Sequence, residues 1–496
     1  MRWVSAGLTV IHRVLGVGIG LLVILWFGSG AVLLFVPYPS LTEAERFSWL
    51  EPLQFDHCCV PLESVWNQVG LTQGVERVRL LMAAGRPVYV IHFLDGTLKS
   101  LWADRGEPMS GIAPSDALRI AQQGVPLEGE IAAEALQDDQ WTVQQRFDPY
   151  RPLWKVPLHD SDGREVYVSS KTGEVVMDTT VFERRWNTVG AVIHWLYVPV
   201  LRRHWSVWDQ TVWWLAAAGV VTAATGLALG IQHLHRWRGQ GHSSPFSGIK
   251  RWHHLFGVAI GAVVCTWLLS GMLSMDHGRW FSIPEPTVDQ RQRFMGGTLM
   301  PQDIAVPLQD ALRQAQLGDA VKETLLTKVG GASYYVFRLD PTHQVVVSAS
   351  AMEAPLQEFS LQVLTQAASA VFPTRNITQR EMIDGDTYYY STAHNPRLLP
   401  GLRVIFDDPA QTWLHIDMKT GGLIELMDHS RRVYRWLFHG LHSWDIPFLL
   451  EHDGQRKMLL LTLCVAGLIF SLSGVYLGIR VLIGRSQLKP PPLGGA

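Results

Sequence analysis

The stretch "IHRVLGVGIG" (residues 11–20) returns, little changed, as "WHHLFGVAIG" (252–261). His12 falls on His253, Gly16 on Gly257 and Gly20 on Gly261, and the same offset of 241 residues carries Ser29-Gly30 onto Ser270-Gly271. Later segments recur as well. "KTGEV" (171–175) matches "KTGGL" (419–423), "HWLYVP" (194–199) matches "HSWDIP" (442–447), and "TGLALG" (225–230) matches "SGVYLG" (473–478), all at an offset of 248. Register held over such distances is the mark of an internal duplication. The seven-residue change of offset is expected from insertions between the matched segments.

What repeats is a membrane pattern. Only 17% of the 496 residues are charged, against roughly 25% in soluble domains. Four apolar runs, Val14–Val36, Val212–Ile231, Leu255–Met275 and Met458–Ile479, contain essentially no charge. Each is long enough to cross a ~30 Å hydrocarbon core as a helix. The first is too long for a signal-peptide core and is read as an uncleaved anchor.

All 44 carboxylates fall in two blocks, Glu43–Asp209 and Asp276–Asp453. The acid-free connector 232–254 carries Arg236, Arg238, Lys250 and Arg251, and the tail carries Arg480, Arg485 and Lys489. Short basic loops stay in the cytoplasm. Both termini are therefore expected in the cytoplasm of a bacterial cell, with the chain in the inner membrane and two large periplasmic domains. Arg202, Arg203, Arg456 and Lys457 flank helices on the opposite side and conflict with the rule. A net charge of −2 argues against a nucleic-acid partner; the lipid bilayer is the expected surroundings.

The expected divisions are a helix in 1–38, an outer domain in 39–184, a His-bearing interfacial segment in 185–205, a helix in 206–235 and a cytoplasmic loop in 236–252. The second copy follows with a helix in 253–277, a domain in 278–432, an interfacial segment in 433–453, a helix in 454–483 and a tail in 484–496. The fold class is thus a four-helix membrane bundle of two parallel helix-pair repeats, with two α+β outer domains. In those domains "RPVYVIHFLDG" (86–96) and "SYYVFRLDPT" (333–342) read as hairpin strands. "SDALRIAQQ" (115–123) and "LQVLTQAASAV" (361–371) read as helices, the first capped by its Ser. "REVYVSSKTGEVV" (164–176) and "TWLHIDMKTGGLI" (412–424) read as strand, Gly turn, strand. Adjacent Cys58 and Cys59, after Asp56 and His57, carry a reactive or metal-binding reading beside a bland one.

The strand–(D/S)-x-x-T-G-x–strand pattern is similar to the PepSY domain. With helices opening "HRVLG" and "HHLFG", the chain resembles, over nearly its whole length, the PepSY-associated transmembrane family of iron-regulated inner-membrane proteins. Members include siderophore reductases that carry haem in a four-helix bundle. The resemblance implies haem redox chemistry here, and a ferric siderophore as the periplasmic acceptor. Ser169 departs from the family's usual Asp, which the second copy keeps as Asp417.

Histidines at membrane depth are functional candidates. An axis along the membrane normal puts equivalent residues at equal depth on opposite sides of the bundle, which suits the two axial imidazoles of a haem iron. Three pairs match by offset: His12/His253, His194/His442 and His204/His452. The last stands among charges and is read as a solvated loop pair. The other two are the expected axial ligands of two haem b groups near opposite faces. Gly16 and Gly257, one turn beyond His12 and His253, are expected to make room for a flat macrocycle. His254 aligns with Arg13 and His439 with Ala191; they are secondary candidates, His254 beside a propionate and His439 as a substitute for or support to His442. Arg13, Lys250, Arg251 and Arg435 are candidate propionate partners, and Trp195, Trp205, Trp208, Trp213, Trp214 and Trp444 an aromatic belt.

The leading expectation is a di-haem oxidoreductase carrying electrons outward from an undefined donor to the acceptor, with the cofactor supplying the chemistry and no catalytic acid, base or nucleophile from the protein. The rivals are a membrane-tethered regulatory or binding module, which needs no intramembrane histidine, and a His-based metal transporter, for which no intramembrane carboxylate offers a pathway.

Overall fold

The computed structural model describes residues 2–55, 58–69, 74–123, 131–238, 243–318, 320–392 and 397–486. Asp56, His57 and Lys489 lie outside them. The chain forms two compact units, one of Met1–Tyr38, Arg185–Phe281 and Val433–Ala496, the other of Pro39–Arg184 and Ser282–Arg432.

The first unit is built on four long helices: α1 (Arg2–Leu33), α2 (Trp205–Arg238), α3 (Gly248–Ser274) and α4 (Asp453–Ser486). Each has a stretch long and apolar enough to cross a membrane. Around the bundle, α1 packs on α2 and α4, and α3 packs on α2 and α4. Val23 and Phe27 of α1 meet Val264 of α3 in a buried plug, where the rings of Phe27 and Trp267 lie 5.7 Å apart. The helices outrun the apolar sequence that predicts them. α3 starts at Gly248 rather than 253, so His253 lies more than a turn inside it, and α2 continues to Arg238.

The second unit contains three antiparallel sheets. A seven-stranded sheet runs in the order 344–348, 332–338, 323–329, 75–83, 86–93, 98–102, 107–108. Its strands bury both faces: from 86–93, Tyr89, Ile91 and Phe93 join one apolar cluster, and Val88 and Val90 another. Two four-stranded sheets follow sequence order, 134–136 to 175–179 and 377–383 to 423–427. The hairpins, the helix at Leu361–Val371 and both strand–Gly turn–strand units occur where the sequence predicts them. The first predicted helix starts one residue early, at Pro114, with Ala113 as its cap. Ser115 therefore does not cap it; proline's fixed φ suits the first helical position, and the Asp116 carboxylate accepts from the Ala113 N–H at 3.3 Å.

Element boundaries recur at the sequence offset. Helices Val181–Asn187 and His429–Arg435, the π-helical turns Thr188–Val192 and Trp436–Gly440, and helices α2 and α4 all start and end 248 residues apart. In the wide sheet the hairpins close at Ala83–Arg86 and Val329–Ala332, an offset of 246, and Arg79 pairs directly with Leu325, its own counterpart at that offset. The two turns of the K-T-G pattern also match, with Gly173 at φ +70° and Gly421 at φ +71°, a conformation that costs glycine little. Ser169 and Asp417 perform the same task there. Ser169 Oγ accepts from the Thr172 N–H at 3.1 Å, and Asp417 accepts from the Lys419 N–H at 3.0 Å and from the Thr420 hydroxyl. Cys58 and Cys59 are joined as a vicinal disulfide.

Candidate functional site

Four histidines of the bundle unit sit in one kind of socket. Each imidazole rests on a glycine of a neighbouring helix, and the residue before that glycine is Ser or Thr. His12 lies on Gly226, where an added Cβ would come within 2.5 Å of its Cε1; the distance is 3.1 Å for His253 on Gly474, 3.3 Å for His194 on Gly30 and 3.5 Å for His442 on Gly271. The dipeptides are Thr225-Gly226, Ser473-Gly474, Ser29-Gly30 and Ser270-Gly271. An added Cβ would collide with the ring at Gly226 and crowd it at Gly474 and Gly30, and would make ordinary contact at Gly271.

Hydrogen bonding orients each ring. His12 Nδ1 lies 3.0 Å from the Thr222 carbonyl, an acceptor only, so Nδ1 carries the proton. In the other three sockets Nδ1 meets a serine hydroxyl: Ser473 at 2.8 Å, Ser29 at 3.1 Å and Ser270 at 3.0 Å. Those hydroxyls donate to backbone carbonyls, of Phe470 at 2.6 Å, Leu25 at 2.6 Å and Trp267 at 3.0 Å respectively. With its proton committed, each serine oxygen accepts from Nδ1–H. All four rings thus hold the tautomer that leaves the Nε2 lone pair for a metal, with the orienting partner a histidine ligand requires.

The outer pair faces itself. The rings of His194 and His442 lie 6.1 Å apart at 68°. Their backbone is irregular in the same way in both copies. A π-turn precedes each histidine, and two residues after it stands a left-handed non-glycine, Leu196 (φ +53°) or Trp444 (φ +51°). π-turns and strained φ concentrate at functional sites. The sockets on Gly30 and Gly271 lie inside α1 and α3, so these imidazoles reach below the helix ends rather than stopping at the outer face. Along α1, His12 and Gly30 are 18 residues apart, about 27 Å at ~1.5 Å per residue.

Pairing is itself chemical information. Among the described residues no cluster of three or more His, Cys, Asp or Glu side chains suits a metal ion. A bare zinc ion wants four protein ligands. Two neutral imidazoles, each with Nε2 free of its orienting partner, fit a metal that brings its own equatorial ligands, as haem does.

The remaining candidates divide. His254 is buried with both ring nitrogens engaged, Nδ1 with Ser244 Oγ and Nε2 with the Gly230 carbonyl, both at 2.9 Å. It holds α3 to α2 and the connector, and its ring has no free lone pair for a metal. His439 packs on Phe438 and Tyr434, with ring centroids at 4.7 and 6.2 Å, while His442 takes the serine socket. His452 is exposed and bonds the Phe448 carbonyl, and His204 is exposed. The room expected at Gly257 is filled by the Phe470 ring, 2.8 Å from an added Cβ, and at Gly16 the nearest atom is 3.9 Å away on Thr222. The glycines that accommodate the histidines are those of the facing helices. Arg435 is buried and donates to the Asp445 carbonyl.

Three of the cations that conflict with the charge rule, Arg202, Arg456 and Lys457, have local partners. Arg202 is buried among Tyr197, Trp205 and Trp208, its guanidinium 5.1, 4.8 and 4.7 Å from their rings. Arg456 pairs with Asp445 and Asp453, and Lys457 with Asp453. The expected belt is at this point a packed cage, in which Trp208 Nε1 also donates to the Trp195 carbonyl at 2.8 Å.

Comparison with protein-family models and with curated proteins finds no match to this chain.

Proposed function

We propose that the chain is a duplicated, di-haem b oxidoreductase of the bacterial inner membrane, resembling the PepSY-associated transmembrane family, that reduces a periplasmic acceptor, by that resemblance a ferric siderophore. The observation that carries the reading is the set of four sockets, in which offset-related histidines present Nε2 lone pairs at two depths of one bundle. His12 with His253, and His194 with His442, would hold the two groups. When bound, haem supplies reversible one-electron Fe(III)/Fe(II) chemistry.

The chain's own residues do the rest. Ser29, Ser270 and Ser473 and the Thr222 carbonyl fix each tautomer and ring direction. The glycines let the rings lie flat against a helix. Val23, Phe27, Val264 and Trp267 fill the bundle between the two layers with hydrocarbon and aromatic rings, which excludes water and bare ions. Reduction of a siderophore's iron loosens it, because hard oxygen ligands favour Fe(III) over Fe(II). Both termini are cytoplasmic in this reading, which the short basic connector 232–254 supports.

The test is a reduced-minus-oxidised spectrum of the protein purified from cells that make haem. Split b-type bands are expected; their absence sinks the proposal. A membrane-tethered regulatory module, the other reading, gives a colourless protein.

A further inference from the structure

Between α3 and α4 runs a groove of about 510 Å³, within the ~300–1,000 Å³ typical of small-molecule sites. Trp252 and Phe256 line it from α3, and Phe470, Ser473 and Tyr476 from α4. Both walls are spanning helices, and Trp252, Leu472 and Tyr476 are exposed on them. The groove therefore opens sideways to the lipid. Its inner wall touches the His253 socket: the Phe470 ring stacks on the imidazole with centroids 4.8 Å apart and planes at 10°, and the Ser473 hydroxyl is the one that meets Nδ1.

The two copies differ here. At the offsets of 241 and 248, Trp252, Phe256, Phe470 and Tyr476 correspond to Ile11, Leu15, Thr222 and Ala228. In the first copy these positions hold aliphatic and small side chains, and α1 and α2 pack more closely there than α3 and α4 do here.

We propose that this groove binds a lipophilic quinol, the electron donor of the reaction; the inference rests on the proposed function. Lateral access admits only a molecule dissolved in the bilayer. Aromatic side chains stack on a flat ring, and the apolar helix faces accept a polyprenyl tail. The sequence has no Gly-rich nucleotide fingerprint to hold a soluble dinucleotide donor instead. Oxidation of one quinol to quinone breaks two O–H bonds and yields two electrons and two protons. The electrons go to two one-electron acceptors of the ferric-haem class, and the protons to water at the end of the bundle where α3 begins.

The experiment uses the full chain, haem-loaded, in phosphatidylcholine nanodiscs. An azidoquinone photolabel is expected on peptides covering 249–256 and 469–476, displaced by decylubiquinone. Leu472→Trp, which fills the groove, should lower labelling and slow haem reduction by duroquinol by about tenfold each, with the dithionite-reduced spectrum unchanged. Phe256→Leu, which copies Leu15, should weaken labelling without adding bulk. Ala224→Trp, the counterpart of Leu472 in the first copy, should alter neither readout. Labelling indifferent to Leu472→Trp and Phe256→Leu overturns the inference, as does displacement of the label by excess phospholipid as effective as by quinone, which would make the occupant a lipid. A haem spectrum without groove labelling defeats this inference alone; groove labelling without a haem spectrum defeats the proposed function alone.

Discussion

The bundle unit and the sheet unit keep their internal symmetry in different ways. In the bundle, the offset-related socket positions hold the same chemistry: histidine against histidine, Ser-Gly or Thr-Gly against Ser-Gly. In the sheet unit the K-T-G turns recur in chemistry, while around the wide sheet only the geometry does. Arg79 pairs with its counterpart Leu325, and the charges around them are one-sided. Glu323 is buried and binds Arg46, Arg79 and Arg338, and Glu174 shares Arg79; the counterpart of Glu323 in the matching hairpin is Arg77, of opposite charge. A site that needs two like ligands holds both copies to one chemistry, whereas a sheet core needs only shape and paired charges.

The largest expected effect breaks the bundle's side of this contrast. His194→Ala or His442→Ala should each remove about half of the haem, as should His12→Ala or His253→Ala, read from the pyridine haemochrome of purified protein. Full haem in any one variant would disprove that pair's assignment. Next in size is Glu323→Gln, which leaves three arginines short of a buried partner and should destabilise the sheet unit by ~3–5 kcal/mol, seen as faster proteolysis of that unit with the haem spectrum kept.

The same carboxylate sets a pH dependence. Arg79, Arg46 and Arg338 hold the Glu323 carboxyl well below its ordinary range. A depressed folded value means that its stabilisation is complete above the unfolded value of ~4.3 and is lost as pH falls below it. Wild type should therefore lose sheet-unit stability steeply under acid, and Glu323→Gln should flatten the curve.

Smaller again, Ser29→Ala and Ser270→Ala should each weaken haem binding about 10- to 100-fold, and equally, because the sockets match. The finest test is a glycine series. Alanine at 226 should displace its imidazole most, then at 474, then at 30, and least at 271, following clearances of 2.5, 3.1, 3.3 and 3.5 Å; the ordering is checked in the low-spin EPR signals of the bound haem.

Much of this was legible in the sequence. The apolar runs give the four spans, and the offsets 241 and 248 reduce 19 histidines to three pairs, of which His204/His452 is set aside because it stands among charges. The same alignment contains Ser29-Gly30 and Ser473-Gly474, yet their role requires knowing which helix faces which, and linear periodicity carries no such information. Gly16 and Gly257 drew attention because they neighbour the histidines in sequence, while the glycines in contact are on other helices. The π-turns and the left-handed Leu196 and Trp444 were hidden because neither leucine nor tryptophan announces positive φ. Ser115 lost its expected cap because Pro114 is preorganised for the first helical turn.

Each imidazole rests on a helix of its own copy, His12 on α2 and His194 on α1, His253 on α4 and His442 on α3. At the outermost sockets it is the facing of His194 and His442 that crosses between copies. One copy thus carries both half-sockets complete, and two identical chains meeting about an axis would already possess both sites. On this view the fused protein descends from a homodimer, and fusion released the second copy to acquire the aromatic groove that the first does not have.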